Sequence, residues 1–175
     1  MHTYLSRMTQ CAETDFIEGM GLILQSDGMP RIAGRLMGLF VLHGGPFSFT
    51  DLAERLEISR GSVSTNTRLL EDLGVIERVA LRGERQDFFR LAADPYAQIV
   101  ERKRARSIRA RETVLRNADS LNDVGPETLT RMGDLANFFR VLADATDRAL
   151  EDLSARDGNG AHARDSRVTD TLAAE

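Results

Sequence analysis

One cysteine, no tryptophan and four prolines in 175 residues put several kinds of protein out of reach. Cys11 alone cannot close an internal disulfide, which excludes a disulfide-stapled secreted scaffold. No run approaches the ~20 consecutive apolar residues of a membrane span, and the opening "MHTYLSRMTQCAETD" lacks the apolar core of a signal peptide. A cytoplasmic protein with no membrane partner is expected. His2, His43 and His162 are scattered, and no His/Cys/carboxylate set has metal-ligand spacing, so no metal is expected. A Gly-rich phosphate loop, a nucleophile elbow and a Glu-x-x-His pair are also missing. The chain therefore names no catalytic residue and no cofactor, and it does not read as an enzyme.

What is present is a core and an uneven charge. Hydrophobic residues make up 42% of the chain, sufficient for a folded domain. The net charge is −4, an unpromising sign for a partner of nucleic acid, but its distribution matters more. From Tyr96 to Ala118 there are seven basic residues (Arg102, Lys103, Arg104, Arg106, Arg109, Arg111, Arg116) and two acidic ones, Glu101 and Glu112, a net +5. Asp119 to Glu175 holds six arginines against twelve acids, a net −6.

Periodicity predicts a first helix over 11–26, with Phe16, Ile17, Met20, Ile23 and Leu24 at helical spacing. "SDGMP" ends it, and Pro30 suits the first turn of a second helix over 30–43, where Gly34 and Gly38 permit close approach of a neighbouring helix. "HGGPFS" is a turn with room for a short strand. "SFTDLAERL" starts a third helix, with Ser48 and Asp51 spaced as a capping box. After the tight turn "EIS", Ser59 is placed to cap a fourth helix ending at Gly74. "VIERVAL" and "QDFFRL" read as strands joined by "RGER", a hairpin signal. Two long helices come next, over about 95–118 and 127–154. The segment after Ser154 is poor in large apolar residues and is expected to be disordered.

The fourth helix begins oddly. "SRGSVSTN" has no Leu, Glu, Lys or Ala, and Gly61 stands where helices avoid glycine. At about 100° per residue, Val63, Thr67 and Leu70 face a core, while Gly61, Ser64, Thr65 and Arg68 cluster on the opposite side and Arg60 and Ser62 flank that face. Helix, tight turn, helix and hairpin is the order of a winged helix-turn-helix, whose second helix enters the major groove of DNA. Small hydroxyl side chains and a glycine let such a helix approach base edges and phosphates. Its N-terminal amides attract phosphate, and Arg68 can grip a guanine edge or a phosphate. At the hairpin tip, Gly83 can take the positive φ of a tight turn, with Arg82 and Arg85 on either side; wing arginines typically touch phosphate or enter the minor groove.

"PRIAGRLMGL", "ISRGSVSTNTRLLEDLGVIERV" and the wing "GERQDFF", taken in this order, resemble the GbsR-like branch of the MarR transcriptional regulators. The resemblance spans Gly28 to about Leu91. It implies a mainly α fold with a small β-hairpin wing: a winged helix-turn-helix domain plus long terminal dimerisation helices. It also implies a homodimeric regulator, a repressor, that binds a two-fold-related operator in double-stranded DNA. Carried across residue by residue, the family's contacts fall on Arg60, Gly61, Ser62, Ser64, Thr65 and Arg68 in the reading helix, and on Arg82 and Arg85 in the wing. Asn66 and Thr67 depart from the family's pattern, where apolar or Ala-like residues are common. Thr67 is tolerable on the packed side, but the Asn66 amide there has no evident partner.

In the family the terminal helices build the dimer interface. Here Met132, Leu135, Phe139, Leu142, Ala149 and Leu153 are spaced in steps of three and four, with Thr146 filling one place, as in a narrow interhelical seam. The resulting division is an N-terminal helix over 1–27 that supports dimerisation, the winged helix-turn-helix over 28–92, two dimerisation helices over 95–155, and a disordered tail over 156–175. Some family members sense small quaternary ammonium compounds, which an aromatic cage would hold. This chain has no Trp, and Tyr96, Phe138 and Phe139 are the only candidates outside the N-terminal segment and winged domain, so a small-molecule effector stays unidentified. A competing reading is a winged-helix protein-interaction module without specific DNA binding. The polar outward face and Arg68 favour DNA, because an interaction surface should expose apolar residues.

Overall fold

The computed structural model describes residues 2–121 and 124–172, with side chains over 9–121 and 124–155. Two compact units divide the chain, Met1–Pro95 and Tyr96–Glu175. Among the described residues no helix is long and apolar enough to cross a membrane.

The first unit opens with α1 (His2–Ser26), which packs on α2 (Arg31–His43). The first helix starts well before the expected residue 11, because the first glycine is Gly19 and the first proline Pro30, so nothing upstream breaks it. Gly34 and Gly38 serve the close approach expected of them. A Cβ at Gly34 would lie 2.8 Å from Gly21 Cα and nearer still to the Met20 carbonyl oxygen, and one at Gly38 would lie 3.2 Å from Ile17 Cα. Glu18 fastens the same contact, pairing with Arg31 at 2.7 Å and Arg35 at 2.6 Å. Phe16 and Ile23, on other faces of α1, remain exposed.

α2 buries Ala33, Leu36, Leu39 and Phe40 in the core it shares with β1 (Phe47–Ser48), α3 (Phe49–Leu56), α4 (Arg60–Asp72), β2 (Ile76–Val79) and β3 (Phe88–Leu91). The sheet has the order β1-β3-β2, antiparallel throughout, with Phe47 opposite Phe89 and Arg78 opposite Phe89 on its other side. Phe89 is fully buried, its ring edge-on to Phe49 at 4.9 Å between centroids, and it joins Leu52, Leu56, Val63, Leu70, Val75 and Ile76 in the core. The short strand that "HGGPFS" had room for is thus the third member of the sheet. The hairpin is less tight than "RGER" suggests. Its strands stop at Val79 and resume at Phe88, leaving an eight-residue wing, 80–87, beyond the last pairing.

In the second unit α5 (Pro95–Ser120) is followed by α6 (Pro126–Leu172). The sequence ends the ordered chain near residue 155, with a disordered tail over 156–175, but the backbone stays helical to Leu172. No proline occurs after Pro126, so nothing interrupts the helical hydrogen-bond ladder. The side chains of 156–172, and residues 173–175 entirely, lie outside the described residues.

Candidate nucleic-acid interface

Two short helices and a turn set the geometry. α3 starts with a complete capping box: Ser48 Oγ accepts from the Asp51 amide at 3.2 Å, and Asp51 Oδ2 accepts from the Ser48 amide at 2.8 Å. It ends at Glu57, in the left-handed region at φ 52°. Arg35 of α2 donates to the Leu56 carbonyl at 3.0 Å, holding the end of α3 where the chain turns into α4. Ser59 then caps α4, accepting from the Ser62 amide at 3.1 Å.

Two acids that hold these helices respond to pH in a defined direction. Hydrogen bonds from the Ser48 backbone and then its hydroxyl hold the Asp51 carboxyl below its usual range. The Arg31 hydrogen bond, with Arg35 adding, does the same to Glu18. Lowered folded-state values mean that the unfolded chain takes up protons first on acidification, so this stability is present above the ordinary carboxylate range and lost as pH falls through the folded values. The melting temperature is expected to drop more steeply between about pH 5 and pH 3 for the wild-type chain than for Glu18→Gln/Asp51→Asn. Equal slopes in a thermal-melt series would show that these two acids do not carry the dependence.

α4 divides as its spacing requires. Val63, Thr67 and Leu70 are buried, while Gly61, Ser64, Thr65 and Arg68 are exposed together. Thr67 satisfies its hydroxyl within the helix, donating to the Val63 carbonyl at 2.9 Å. Asn66 is buried as well: its Nδ2 donates to the Ser62 carbonyl at 2.8 Å, but its Oδ1 has no partner among the described residues. Half of the amide is thus placed. A Cβ at Gly61 would meet nothing closer than Ser59 Oγ at 3.9 Å, so this glycine answers to no crowding within the fold.

Arg60 and Ser62 are less free than the sequence suggests. Arg60 is exposed, yet its guanidinium donates to Thr50 Oγ1 at 3.0 Å, which fixes it beside the start of α3. Ser62 is half-buried, its hydroxyl 2.9 Å from that of Ser59. Thr50 is thus a residue the sequence did not single out; no local spacing links it to Arg60, ten positions later. Arg68 has no ion-pair partner among the described residues.

In the wing, the Glu84 amide closes a turn onto the Leu81 carbonyl at 3.1 Å, with Gly83 at φ 89° in the third position, as a type II turn requires. Arg82 and Arg85 are exposed there. The wing is braced from its base by Arg78, which pairs with Asp87 at 2.7 Å and with Glu71 of α4 at 3.2 Å while its guanidinium lies over the Phe89 ring. That brace ties wing and reading helix together, leaving Arg82 and Arg85 without acidic partners among the described residues. The surface formed by α4 and the wing offers hydroxyls, backbone and guanidinium groups, with no large apolar side chain on the outward face of α4.

Within a single chain the residues expected to form the α6 seam are partly covered. Met132, Phe139, Leu142, Thr146, Ala149 and Leu153 are half-buried, and Leu135 is 46% exposed. Among the described residues of this unit, those buried are the small side chains of Ala136 and Ala143 in α6 and Ser107 in α5. Arg104 of α5 also pairs with Asp147 of α6. Phe138 and Val141 are 55% and 51% exposed, so an apolar strip lies uncovered beside the expected seam. No group of three or more His, Cys, Asp or Glu able to hold a metal occurs among the described residues.

Comparison with known proteins agrees with this geometry. The model of the MarR family matches residues 27–86. The HTH-type transcriptional regulator MmpR5 of Mycobacterium tuberculosis is 34% identical over 149 residues, 82% of this chain and 88% of the relative. The HTH-type transcriptional repressor OpcR of Bacillus subtilis is 27% identical over 89 residues, 51% of this chain and 48% of that protein. Among solved structures, a crystal structure of a transcriptional regulator aligns with a TM-score of 0.70 and 31% identity, covering 82% of this chain and 99% of the other.

Proposed function

Because the chain belongs to the MarR family of transcriptional regulators, we propose that the exposed face of α4 reads the base edges of an operator while the wing holds the flanking backbone. The chain is a winged-helix transcriptional regulator that binds DNA. The finer assignments are ours. Arg60, Gly61, Ser62, Ser64, Thr65 and Arg68 contact DNA from α4, and Arg82 and Arg85 do so from the wing. Two copies act together on a two-fold-related operator as a cytoplasmic repressor of the GbsR-like branch, with an unidentified small molecule as effector. The winged domain covers 28–92, and the N-terminal helix and the helices over 95–155 serve dimerisation.

One observation carries the contact assignment: Gly61, Ser64, Thr65 and Arg68 share one solvent-facing side of a helix whose opposite side is buried, and no neighbour in the fold accounts for the glycine. Titration of operator and scrambled duplex at several salt concentrations tests it. Arg68→Ala should cost ~1–3 kcal/mol on the operator and relax preference at one position per half-site. Arg82→Ala/Arg85→Ala should weaken binding to both duplexes alike and flatten the salt dependence. Equal losses on both duplexes for Arg68→Ala would make it a phosphate clamp. No change in any variant would leave the winged helix to a protein partner.

A further inference from the structure

The basic residues of α5 are arranged, not merely abundant. At about 100° per residue, Gln98, Arg102, Arg106, Arg109, Thr113 and Arg116 fall within about 80° of arc, and all six are exposed. No carboxylate lies in that arc; Glu101 and Glu112 fall outside it. The arginines extend over about 21 Å of helix. Arg104, on the opposite side, reaches Asp147 of α6, and Arg116 touches the hydroxyl of Thr113 at 3.3 Å, but none of the four stripe arginines has an acidic partner among the described residues. Exposed acids occur among the described residues of the same unit, Asp119, Asp134 and Asp152 among them. Like charges at the Arg102/Arg106 spacing weaken a helix, and no described ion pair relieves the repulsion.

We infer that this stripe is a second DNA-binding surface that tracks the phosphate backbone, separate from the base-reading face of α4. Every side chain in it can donate a hydrogen bond, and a repeating anion uses a row of donors where a single acidic side chain would engage one. The regulator's own ligand is such a polyanion, so the inference rests on the DNA-binding reading and extends its footprint. A backbone contact of this kind carries no sequence information. Instead it supplies affinity and salt dependence, through counterions released from the DNA.

The test uses the full chain with Arg102, Arg106, Arg109 and Arg116 all changed to Gln, titrated against operator and scrambled duplex from low to moderate salt. The expected result is a loss of about tenfold or more on both duplexes, with the slope of log K against log salt falling by roughly 0.9 for each phosphate contact removed. The fourfold Arg→Lys variant should restore the slope, and Arg111→Gln, on the opposite side of α5, should leave it unchanged. An unaltered slope in the fourfold Gln variant overturns the inference. So does a slope that Arg111→Gln changes equally, since bulk charge would then be responsible. Binding of the wild-type chain to phosphatidylserine vesicles, lost in the Gln variant while DNA binding persists, would assign the stripe to a lipid surface and overturn it too. Failure of the wild-type chain to bind any duplex would instead count against the DNA-binding reading, a distinguishable result.

Discussion

Gly34→Ala is expected to destabilise the first unit by about 1–3 kcal/mol, the range for overpacking a close contact. The added methyl would collide with backbone, at 2.8 Å from Gly21 Cα and closer to the Met20 carbonyl oxygen, so no side-chain rotation can make room. α1 must shift, and the Glu18 pairs with Arg31 and Arg35 shift with it. Because Arg35 also holds the Leu56 carbonyl at the end of α3, the disturbance reaches the turn before the reading helix. Gly61→Ala is the paired control. Its methyl meets open space, and replacing a helical glycine should stabilise by up to about 1 kcal/mol. A thermal melt should move in opposite directions for the two variants, by about 4–8 °C per kcal/mol for a unit of this size. DNA affinity should fall in both, through displacement of α4 in the first and loss of close approach in the second. A Gly34→Ala chain that melts like the wild type would show that α1 and α2 are not in close contact at this glycine. A Gly61→Ala chain with undiminished operator affinity would remove Gly61 from the contact surface.

Starting from the proposed dimer, Leu135→Glu/Phe138→Glu should yield a monomer and reduce operator affinity about 10²–10⁴-fold, because two linked half-site contacts become independent. Leu135 and Phe138 are 46% and 55% exposed on α6 beside Val141, an apolar strip that a lone chain leaves in water. Burying carboxylates in a subunit interface is prohibitive without partners. Both residues lie on the exposed side of a helix packed elsewhere through Ala136 and Ala143, so the unit should keep its helical content. Sedimentation and circular dichroism together decide: a helical protein that remains dimeric places the interface away from this strip.

The parts of this protein legible in its sequence are those whose cause lies within about four residues. Ser48 with Asp51 and Ser59 with Ser62 are caps, closed by side chains three positions from the amides they serve. The split of α4 into buried Val63, Thr67 and Leu70 and exposed Gly61, Ser64, Thr65 and Arg68 is a consequence of helical periodicity alone. Gly83 at the wing tip is readable for the same reason, because a turn of four residues states its own φ requirement.

Tertiary structure decided the matters that depend on residues brought together from far apart. Arg60 looks like any exposed arginine until α3 sets Thr50 beside it, and nothing in the spacing of Arg104 points to Asp147 forty-three positions away. Which arginines are braced and which are left open is therefore settled by packing: Arg78 is engaged by Glu71 and Asp87, whereas Arg82 and Arg85, in the same wing, meet no acid among the described residues. Periodicity likewise marks which residues of α6 are apolar, but which of them a single chain covers depends on packing: Ala136 and Ala143 are buried while the larger Leu135 and Phe138 remain exposed. Asn66 shows both influences at once. Its position on the packed side is evident from the helix period, but that one end of its amide would find the Ser62 carbonyl and the other be left buried without a partner depended on which atoms the fold packed around it.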